Sequence, residues 1–283
     1  MVRRYWYQDQ IYEDQSPNIK LVENRAFLYG DGLFESIKVR VPEVHFFDLH
    51  WHRLVKGAQI LGYILPEKGI VFNGILKLIA DLEINQIVSA RLMIFRTGGG
   101  KYTPQGNAVD WLWEIVMQPH TRSEEIYHCG NSSIIYKPLQ PWSGIKSMNA
   151  LLYVMAAKEM QEMGWQEMIL CNTDFQVCEG VSSNIIWETK QGWFTPAKSC
   201  GAIEGVCLGA LMQKFPEIHE VTCTLEALKK AERIIFCNSI QGIRPARYFL
   251  GRKLNSNVPD AWQSFIQSGG YPPPPALQIV VPE

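Results

Sequence analysis

Two side chains of opposite charge bracket one stretch of this chain. Lys146 stands just before a predicted helix, and Glu179 ends a predicted hairpin. A lysine amine can bond covalently to a carbonyl carbon, and it can also move a proton as a general base. Taken alone, a lysine at the start of a helix is most often a solvated surface residue. The residues around Lys146 therefore decide whether a catalytic role is predicted for it.

The segment between the lysine and the glutamate predicts a helix, a strand, a turn and a second strand. Apolar residues recur at helical spacing from Met148 to Met163, and Gly164 follows as a typical C-terminal cap. The apolar run 168–171 and the turn-forming residues 172–174 then lead into the strand that ends at Glu179. A lysine thus precedes the helix, and a glutamate closes the hairpin.

The residues at the two ends of this segment form a pattern, Lys146-x-x-Asn149-x-Leu151 followed by Glu179-Gly180-x-Ser182-Ser183-Asn184. This pattern resembles the class IV aminotransferases, which are pyridoxal 5'-phosphate (PLP) enzymes of fold type IV. The family includes branched-chain aminotransferase, D-amino-acid aminotransferase and aminodeoxychorismate lyase, and the resemblance extends from about Arg25 to Pro245. It implies an α+β fold with a small N-terminal α+β domain, a larger C-terminal β-barrel-like domain and the cofactor between them. It also implies a homodimer.

The resemblance assigns roles to individual residues. A PLP enzyme needs a lysine for the Schiff base, an acid at the pyridine nitrogen and a cradle for the phosphate. Lys146 matches the Schiff-base lysine, and Glu179 matches the partner of the pyridine nitrogen. An arginine and exposed backbone amides suit a phosphate dianion. The matching phosphate residues are Arg53, the amides of Val206 and Cys207 after Gly205, the Ser239 side chain and the Ile240 amide. Leu208 stands where many relatives have an arginine, so we expect that arginine's contribution to be lost.

The same resemblance leaves the reaction open. D-amino-acid aminotransferases bind the substrate carboxylate with a tyrosine and a loop Arg-x-His, but here Phe34 and Lys101-Tyr102-Thr103 stand at those places. Branched-chain enzymes carry Phe-Glu-Gly, whereas this chain has Ser36 at the third position. Aminodeoxychorismate lyases are similar in that hydroxyl and in Asn-Ser-x-x-Gly-x-x-Pro, which begins here at Asn238.

Transamination between an amino acid and a 2-oxo acid is the preferred prediction. The alternative is a 4-amino-4-deoxychorismate lyase that releases pyruvate and 4-aminobenzoate. A non-enzymatic relative is disfavoured because the lysine, the glutamate and the phosphate residues occur together. Substrate contacts are predicted for Phe34, Ser36, Arg96 and Lys101. For Ser36 two readings stay open: its hydroxyl orders a proton transfer, or it faces the core of a strand.

Charge and composition disfavour several other functions. Lysine and arginine total 27 against 28 acidic residues, so no electrostatic field favours nucleic acid or an anionic membrane. No apolar run reaches the ~18 residues of a membrane span. Seven cysteines without a Cys-x-x-Cys pair predict reduced thiols in a cytoplasmic protein. His50 and His52 predict no metal site, because no carboxylate or cysteine lies at matching spacing.

The length of 283 residues allows two domains. Two prolines and a glycine make 138–144 the predicted linker between domains 1–137 and 145–283. Strands are predicted over 5–12, 33–40, 90–95, 111–117, 134–136, 185–187, 193–194, 220–224 and 233–237. Helices are predicted over 47–61, 70–82 and 206–215. The tail 271–275, with four consecutive prolines, predicts a polyproline segment.

Overall fold

A computed structural model describes residues 3–13, 17, 23–117 and 125–269. Its strands up to the centre of the chain are β1 (Arg3–Tyr7), β2 (Gln10–Glu13), β3 (Gly32–Arg40), β4 (Glu43–Val44), β5 (Ile87–Arg96), β6 (Val109–Val116) and β7 (Ile126–Lys137). The later strands are β8 (Glu167–Asn172), β9 (Val177–Gly180), β10 (Asn184–Thr189), β11 (Gly192–Pro196), β12 (Ile218–Val221), β13 (Arg233–Asn238), β14 (Gly242–Phe249) and β15 (Arg252–Lys253). The helices are α1 (Arg25–Tyr29), α2 (Phe47–Leu61), α3 (Lys68–Ile79), α4 (Leu151–Glu162), α5 (Val206–Lys214), α6 (Leu225–Leu228) and α7 (Asp260–Gln267).

The first sheet has six antiparallel strands in the order β2-β1-β6-β5-β3-β4. Strand β3 shows the alternation that a sheet with one covered face requires. Leu33, Ile37 and Val39 are buried against α2 and α3, while Phe34 and Ser36 lie on the opposite, partly open face. One face of the sheet therefore builds the apolar core, and the other is free to border a site.

The second sheet has nine strands, with β12-β11-β10-β13-β14-β7-β8-β9 as its path and β15 beside β14. The sheet curls until its two ends, β9 and β12, meet. There the Val177 amide at the start of β9 donates to the Cys223 carbonyl just after β12 at 2.7 Å. Apolar side chains fill the interior of the curl, and α5 and α7 cover part of its outside. The predicted α+β fold with a barrel-like second unit is confirmed.

The predicted domain boundary at residue 137 stays a prediction, but the chain changes from the first sheet to the second before that residue. Strand β7 pairs in parallel with β14 and with β8, so residues 126–137 belong to the second sheet. The change of sheet therefore falls before Ile126. The pattern of β7 specifies a strand but does not specify its partner, which is why the sequence did not reveal this. The proline-containing segment 138–144 leads from β7 back to the first sheet, where Ser147 bridges to Leu33.

Smaller differences have local causes. The single strand predicted over 5–12 is a hairpin, because Gln8 and Asp9 adopt left-handed φ values of 49° and 64° and form a tight turn. The strand predicted over 220–224 stops at Val221, and the Thr224 side chain instead caps α6. The predicted polyproline segment 271–275 lies outside the described residues. In the described part of the chain, no helix has the length and apolar character needed to cross a membrane.

Candidate active site

Lys146 lies where the chain crosses from the second sheet to the first. The Phe34 amide donates to the Lys146 carbonyl at 3.0 Å, and the Met148 amide donates to the Gly32 carbonyl at 2.8 Å. The segment therefore adds a short antiparallel bridge to β3, which holds the backbone at Lys146 and just after it. The amine nitrogen lies 4.3 Å from the centre of the Phe34 ring.

A cavity of about 450 Å³ opens between the two sheets at this point. The predicted residues that line it come from six separate parts of the chain. They are Phe34, Ser36, Arg53, Lys146, Glu179, Val206, Cys207, Ser239 and Ile240. The structure thus brings together all the predicted cofactor residues and two of the four predicted substrate residues.

The surroundings of Lys146 favour a reactive amine. Burial, together with the nearby Arg53 guanidinium, lowers the pKa of Lys146 to about 8 against the opposing charges of Glu35 and Glu179. A larger fraction of the amine is therefore neutral near neutral pH than for a solvated lysine. The neutral amine is the form that attacks a carbonyl carbon.

Glu179 is buried, and three donors fix its carboxylate. Oε1 accepts from the Lys137 ammonium at 2.5 Å and from the Tyr153 hydroxyl at 2.6 Å, and Oε2 accepts from the Ile203 amide at 2.9 Å. Burial and the Glu179 charge raise the pKa of Tyr153 far above its ordinary value, so the phenol remains a donor. Lys137 and Tyr153 were not predicted from the sequence, because only the fold brings β7, α4 and β9 together.

Arg53 is held by a buried carboxylate on the neighbouring strand. Glu35 lies on the helix-facing side of β3 and accepts from both Nε and Nη2 of Arg53, with the Nε contact at 2.8 Å. His50 Nδ1 lies 2.6 Å from the same carboxylate, and Nη1 of Arg53 donates to the Glu204 carbonyl at 3.0 Å. Burial alone would raise the pKa of Glu35, but Arg53 and His50 outweigh it and lower the pKa to about 2.

The N-terminus of α5 provides a second anion-binding feature beside Arg53. The amides of Val206 and Cys207 lie in the first turn and have no intrahelical acceptor, and Gly205 before them offers no capping side chain. A Cβ on Gly205 would lie 1.6 Å from Oδ1 of Asn184, so only glycine fits there. Asn184 in turn donates to the Ile203 carbonyl at 2.8 Å and holds this loop against the cavity.

A family model described as "Amino-transferase class IV" matches residues 32–249, which is most of the chain. The chain belongs to the class IV aminotransferases. It is 24% identical over 234 residues to an aminodeoxychorismate lyase of Vibrio harveyi, covering 78% of this chain and 84% of that protein. It is also 24% identical over 260 residues to a D-alanine aminotransferase of Bacillus licheniformis, covering 87% and 89%.

Solved structures of the family show the same fold. A branched-chain aminotransferase of Thermoproteus uzoniensis superposes with a TM-score of 0.82 at 19% identity, covering 95% of this chain and 94% of that one. A putative 4-amino-4-deoxychorismate lyase of Legionella pneumophila gives 0.77 at 21% identity, covering 90% and 97%. The fold is therefore that of the fold type IV aminotransferases. The named reactions of these proteins differ.

In this member of the family, Ser239 and Ile240 border the cavity, but their predicted donors are engaged within the protein. The Ser239 hydroxyl donates to the Ser36 carbonyl at 2.7 Å, and the Ile240 amide donates to Oδ1 of Asn238 at 3.0 Å. Asn238 also accepts from the Gln241 amide, so its side chain organises the turn itself. Both donors have acceptors within the protein, and their contact with a phosphate stays a prediction.

Two predicted substrate residues lie away from the cavity. Arg96 is buried and donates to Asp31 at 3.0 Å, to Asn107 at 2.6 Å and to the Leu61 carbonyl at 2.6 Å, so it anchors the base of the loop 97–107. Lys101 is exposed in that loop. Neither residue lines the cavity, because Arg96 is held at the base of the loop and Lys101 is exposed within it.

A different arginine occupies the place expected for them. Arg91 on β5 pairs in register with Ser36 on β3, so both side chains lie on the same face of the sheet and line the cavity. Its guanidinium carbon lies 5.9 Å from the centre of the Phe34 ring. The sequence shows an arginine within a strand but not its register, and the register is what turns Arg91 towards the site.

Proposed function

We propose that this class IV aminotransferase binds PLP and transfers an amino group between an amino acid and a 2-oxo acid. The observation that carries the proposal is the meeting of three groups at one cavity. These are a buried lysine amine with a lowered pKa, a carboxylate held by three donors, and an arginine beside open helix amides. PLP presents a carbonyl carbon, a ring nitrogen and a phosphate, which match these three groups in chemistry.

The residues of this chain fit the cofactor, and each would have a separate role in binding or proton transfer. PLP supplies an aldehyde that bonds to amines and a ring that accepts the electron pair left at the substrate Cα. Lys146 would carry the cofactor and, once the substrate amine has displaced it, would take the Cα proton. Glu179 would hold a proton at the ring nitrogen. Arg53 would hold the phosphate with the donors that Glu35 leaves free, together with the amides of Val206 and Cys207.

Arg91 is the proposed anchor for a substrate carboxylate. It lines the cavity on the same face as Phe34 and Ser36, and its contact with Glu114 is long, at 3.8 Å. A guanidinium in such a position can form a paired hydrogen bond with a carboxylate. Arg91 is therefore the proposed partner of the α-carboxylate that every amino-acid substrate, glutamate included, carries.

Ser36 supports a second candidate reaction. Its side chain borders the cavity rather than the apolar core of the first sheet, so its hydroxyl is available to order a proton transfer. A hydroxyl at this position is the feature that resembles the aminodeoxychorismate lyases. The alternative is therefore the cleavage of 4-amino-4-deoxychorismate to pyruvate and 4-aminobenzoate on the same Lys146 and Glu179.

Single-turnover mixing of the PLP-loaded enzyme with glutamate separates the two reactions. Transamination predicts conversion of the cofactor to pyridoxamine phosphate and release of one 2-oxo acid per site. Arg91→Met should lower kcat/KM for glutamate roughly ten- to a hundredfold, because a charge-assisted hydrogen bond is worth about 1.5–3 kcal/mol. Arg3→Met is the matched control, since Arg3 contacts the same Glu114 at 3.0 Å but lies outside the cavity.

The lyase would be established by the opposite pattern. No amino acid would convert the cofactor, aminodeoxychorismate would yield pyruvate and 4-aminobenzoate, and Ser36→Gly would abolish that yield. Equal kcat/KM values for Arg91→Met and Arg3→Met would contradict the proposed role of Arg91 in substrate binding, whichever reaction the enzyme catalyses.

Glu179→Gln tests the assigned role of the carboxylate. The variant should keep the cofactor yet turn over roughly ten- to a hundredfold more slowly, because an amide stabilises a protonated ring nitrogen less than a carboxylate does. Steady-state kcat and the cofactor content after gel filtration measure the two effects separately. Glu188→Gln, on β10 and outside the cavity, is the control. Wild-type kcat in Glu179→Gln would refute the role.

The family resemblance and the surface both support a homodimer, which we include in the proposal. Phe27, Leu28 and Tyr29 on α1 are exposed, and the ring of Tyr29 lies 5.7 Å from that of Tyr102, which is 89% exposed. Exposed apolar patches of this kind mark interaction surfaces. Light scattering during size-exclusion chromatography measures the mass, and a mass of one chain would contradict the dimer.

A further inference from the structure

A second, smaller pocket lies next to the cofactor cavity, and the proposed reaction makes no use of it. It is enclosed by the second half of β3, by α7 and by the turn that carries Ser239 and Gln241. Ser239, Gln241 and Cys207 border both spaces. The volume of the smaller one is about 150 Å³. At ~30 Å³ for each water molecule, it has room for roughly five waters or for one small polyatomic ion.

The polar groups that line this pocket are mostly nitrogen donors. They are the ammonium of Lys38, the imidazole of His45 and the side-chain amides of Gln241, Gln263 and Gln267. None of the described residues that line it is an aspartate or a glutamate. We call this space the Lys38 pocket.

A buried nitrogen of His45 lacks a hydrogen-bond partner, and an unpaired polar atom costs most where it is buried. Its side chain is 2% exposed, and Nε2 makes no hydrogen bond within the described structure. Burial, assisted by the charges of Lys38 and Arg40, lowers the pKa of His45 to about 4, so the ring is neutral and one nitrogen carries a proton. Gly269, with φ +67°, packs on the ring so closely that a Cβ would lie 2.6 Å from Cγ, which fixes the imidazole in place.

Positive charge accumulates here, and no ion pair with a described carboxylate offsets it. Lys38 is half-buried and forms no ion pair with any described carboxylate. Arg40 lies two residues further along the same face of β3, and its buried Nε has no hydrogen-bond partner in the described structure. Like charges brought together in a partly buried space raise the local potential and attract an anion.

We propose that the Lys38 pocket binds a small oxyanion of the phosphate or carboxylate class. The Lys38 ammonium supplies the charge, the His45 N–H and the amides of Gln263 and Gln267 supply neutral donors, and Gly269 holds the imidazole in position. The site is separate from the cofactor cradle, whose donors are Arg53 and the α5 amides. It lies next to the cradle because Ser239 and Gln241 stand between the two spaces.

Isothermal titration of the full-length protein with inorganic phosphate tests the proposal. The protein is first loaded with PLP and reduced with borohydride, so that the cofactor's own phosphate fills the cradle. One saturable phosphate site per chain is expected. Lys38→Met should weaken it roughly ten- to a hundredfold, as the loss of one charge-assisted contact does. Lys190→Met, at an exposed turn, should leave it unchanged. A parallel titration with acetate separates carboxylate from phosphate binding.

Gln267→Leu, on the exposed side of α7, keeps the proposal testable if the Lys38 variant does not fold, and circular dichroism checks the fold of each. Equal phosphate affinity in wild type, Lys38→Met and Gln267→Leu would overturn the site, as would the absence of saturable binding of both anions. Phosphate that binds only before cofactor loading would also overturn it, because that phosphate occupies the cradle.

Failure of borohydride to fix any cofactor would instead count against the proposed function. In that case Arg53→Met, which weakens the cradle, takes the place of the reduced protein in the titration.

Discussion

Lys146→Ala is expected to lower steady turnover by roughly 10²- to 10⁴-fold or more. General acid–base catalysis alone contributes about that factor, and the same amine also carries the cofactor in the proposed mechanism. Steady-state kcat for the amino acid that turns over fastest measures the loss. Borohydride treatment of the wild-type protein, followed by peptide mapping, should locate the cofactor on Lys146. An adduct on another lysine would end the proposed mechanism, and Lys190→Ala, at an exposed turn, should behave as wild type.

The pH dependence of cofactor loading provides a second measurement on the same residue. Burial lowers the pKa of Lys146 to about 8, and only the neutral amine attacks the cofactor aldehyde. The rate of attachment to cofactor-free protein should therefore rise with pH and level off above about 8. For a solvated lysine, with a pKa of about 10.4, the rate would still rise beyond that pH. A plateau that appears only near the solvated value would show that burial does not tune this amine.

Glu35→Gln is expected to be the most destabilising single change at the site. Glu35 is fully buried beneath Arg53 and His50, and removal of one partner from a buried ion pair typically costs roughly 3–5 kcal/mol. Urea denaturation at neutral pH measures the free energy of unfolding. The same variant should bind PLP more weakly, because Arg53 loses the carboxylate that aims its guanidinium at the cradle.

A matched carboxylate on the same sheet gives the control. Glu114 is also buried, but its partners Arg3 and Arg91 are half-exposed, so Glu114→Gln should cost only about 0–1 kcal/mol. The folded-state pKa of Glu35, at about 2, lies below its ordinary value. Its contribution to stability is therefore complete above the unfolded pKa of about 4.3 and is lost as the pH falls towards 2. The difference between wild type and Glu35→Gln should shrink over that interval, and a difference that is constant with pH would contradict the ion pair.

The helices and strands around the site show how much of the fold local sequence patterns could predict. Helix α2 was predicted over the residues that form it, because the residues on its buried side recur at helical spacing. Strand β3 was predicted to within one residue for the analogous reason, an alternation of buried and open positions. Strand β7 was predicted only over 134–136, and its pairing with β14 and β8 in the second sheet was not foreseen, because periodicity reports a strand's conformation and says nothing about which strand lies beside it.

The site residues divide in the same way. Lys146, Glu179 and Arg53 each lie within a short motif. The residues beside them in the chain therefore sufficed to predict their roles from the family resemblance. Arg91, Lys137 and Tyr153 lie in no such motif. Arg91 and Tyr153 reach the cavity, and Lys137 reaches Glu179, only through strand register and through the packing of α4 on the second sheet.

The sequence by itself determined the family of this protein, because the short motifs around Lys146, Glu179 and Arg53 resemble those of the class IV aminotransferases. It also determined most helices and strands, since these follow from the order of apolar and polar residues over ten or fifteen positions. Tertiary structure alone decided that Glu35 fixes Arg53, that Arg91 replaces Arg96 at the cavity, and that Lys38 and His45 share a pocket. Each of these contacts joins residues whose distance in space depends on how sheets curl and strands pair. Pairing depends on the free energy of the whole fold rather than on any local run of residues.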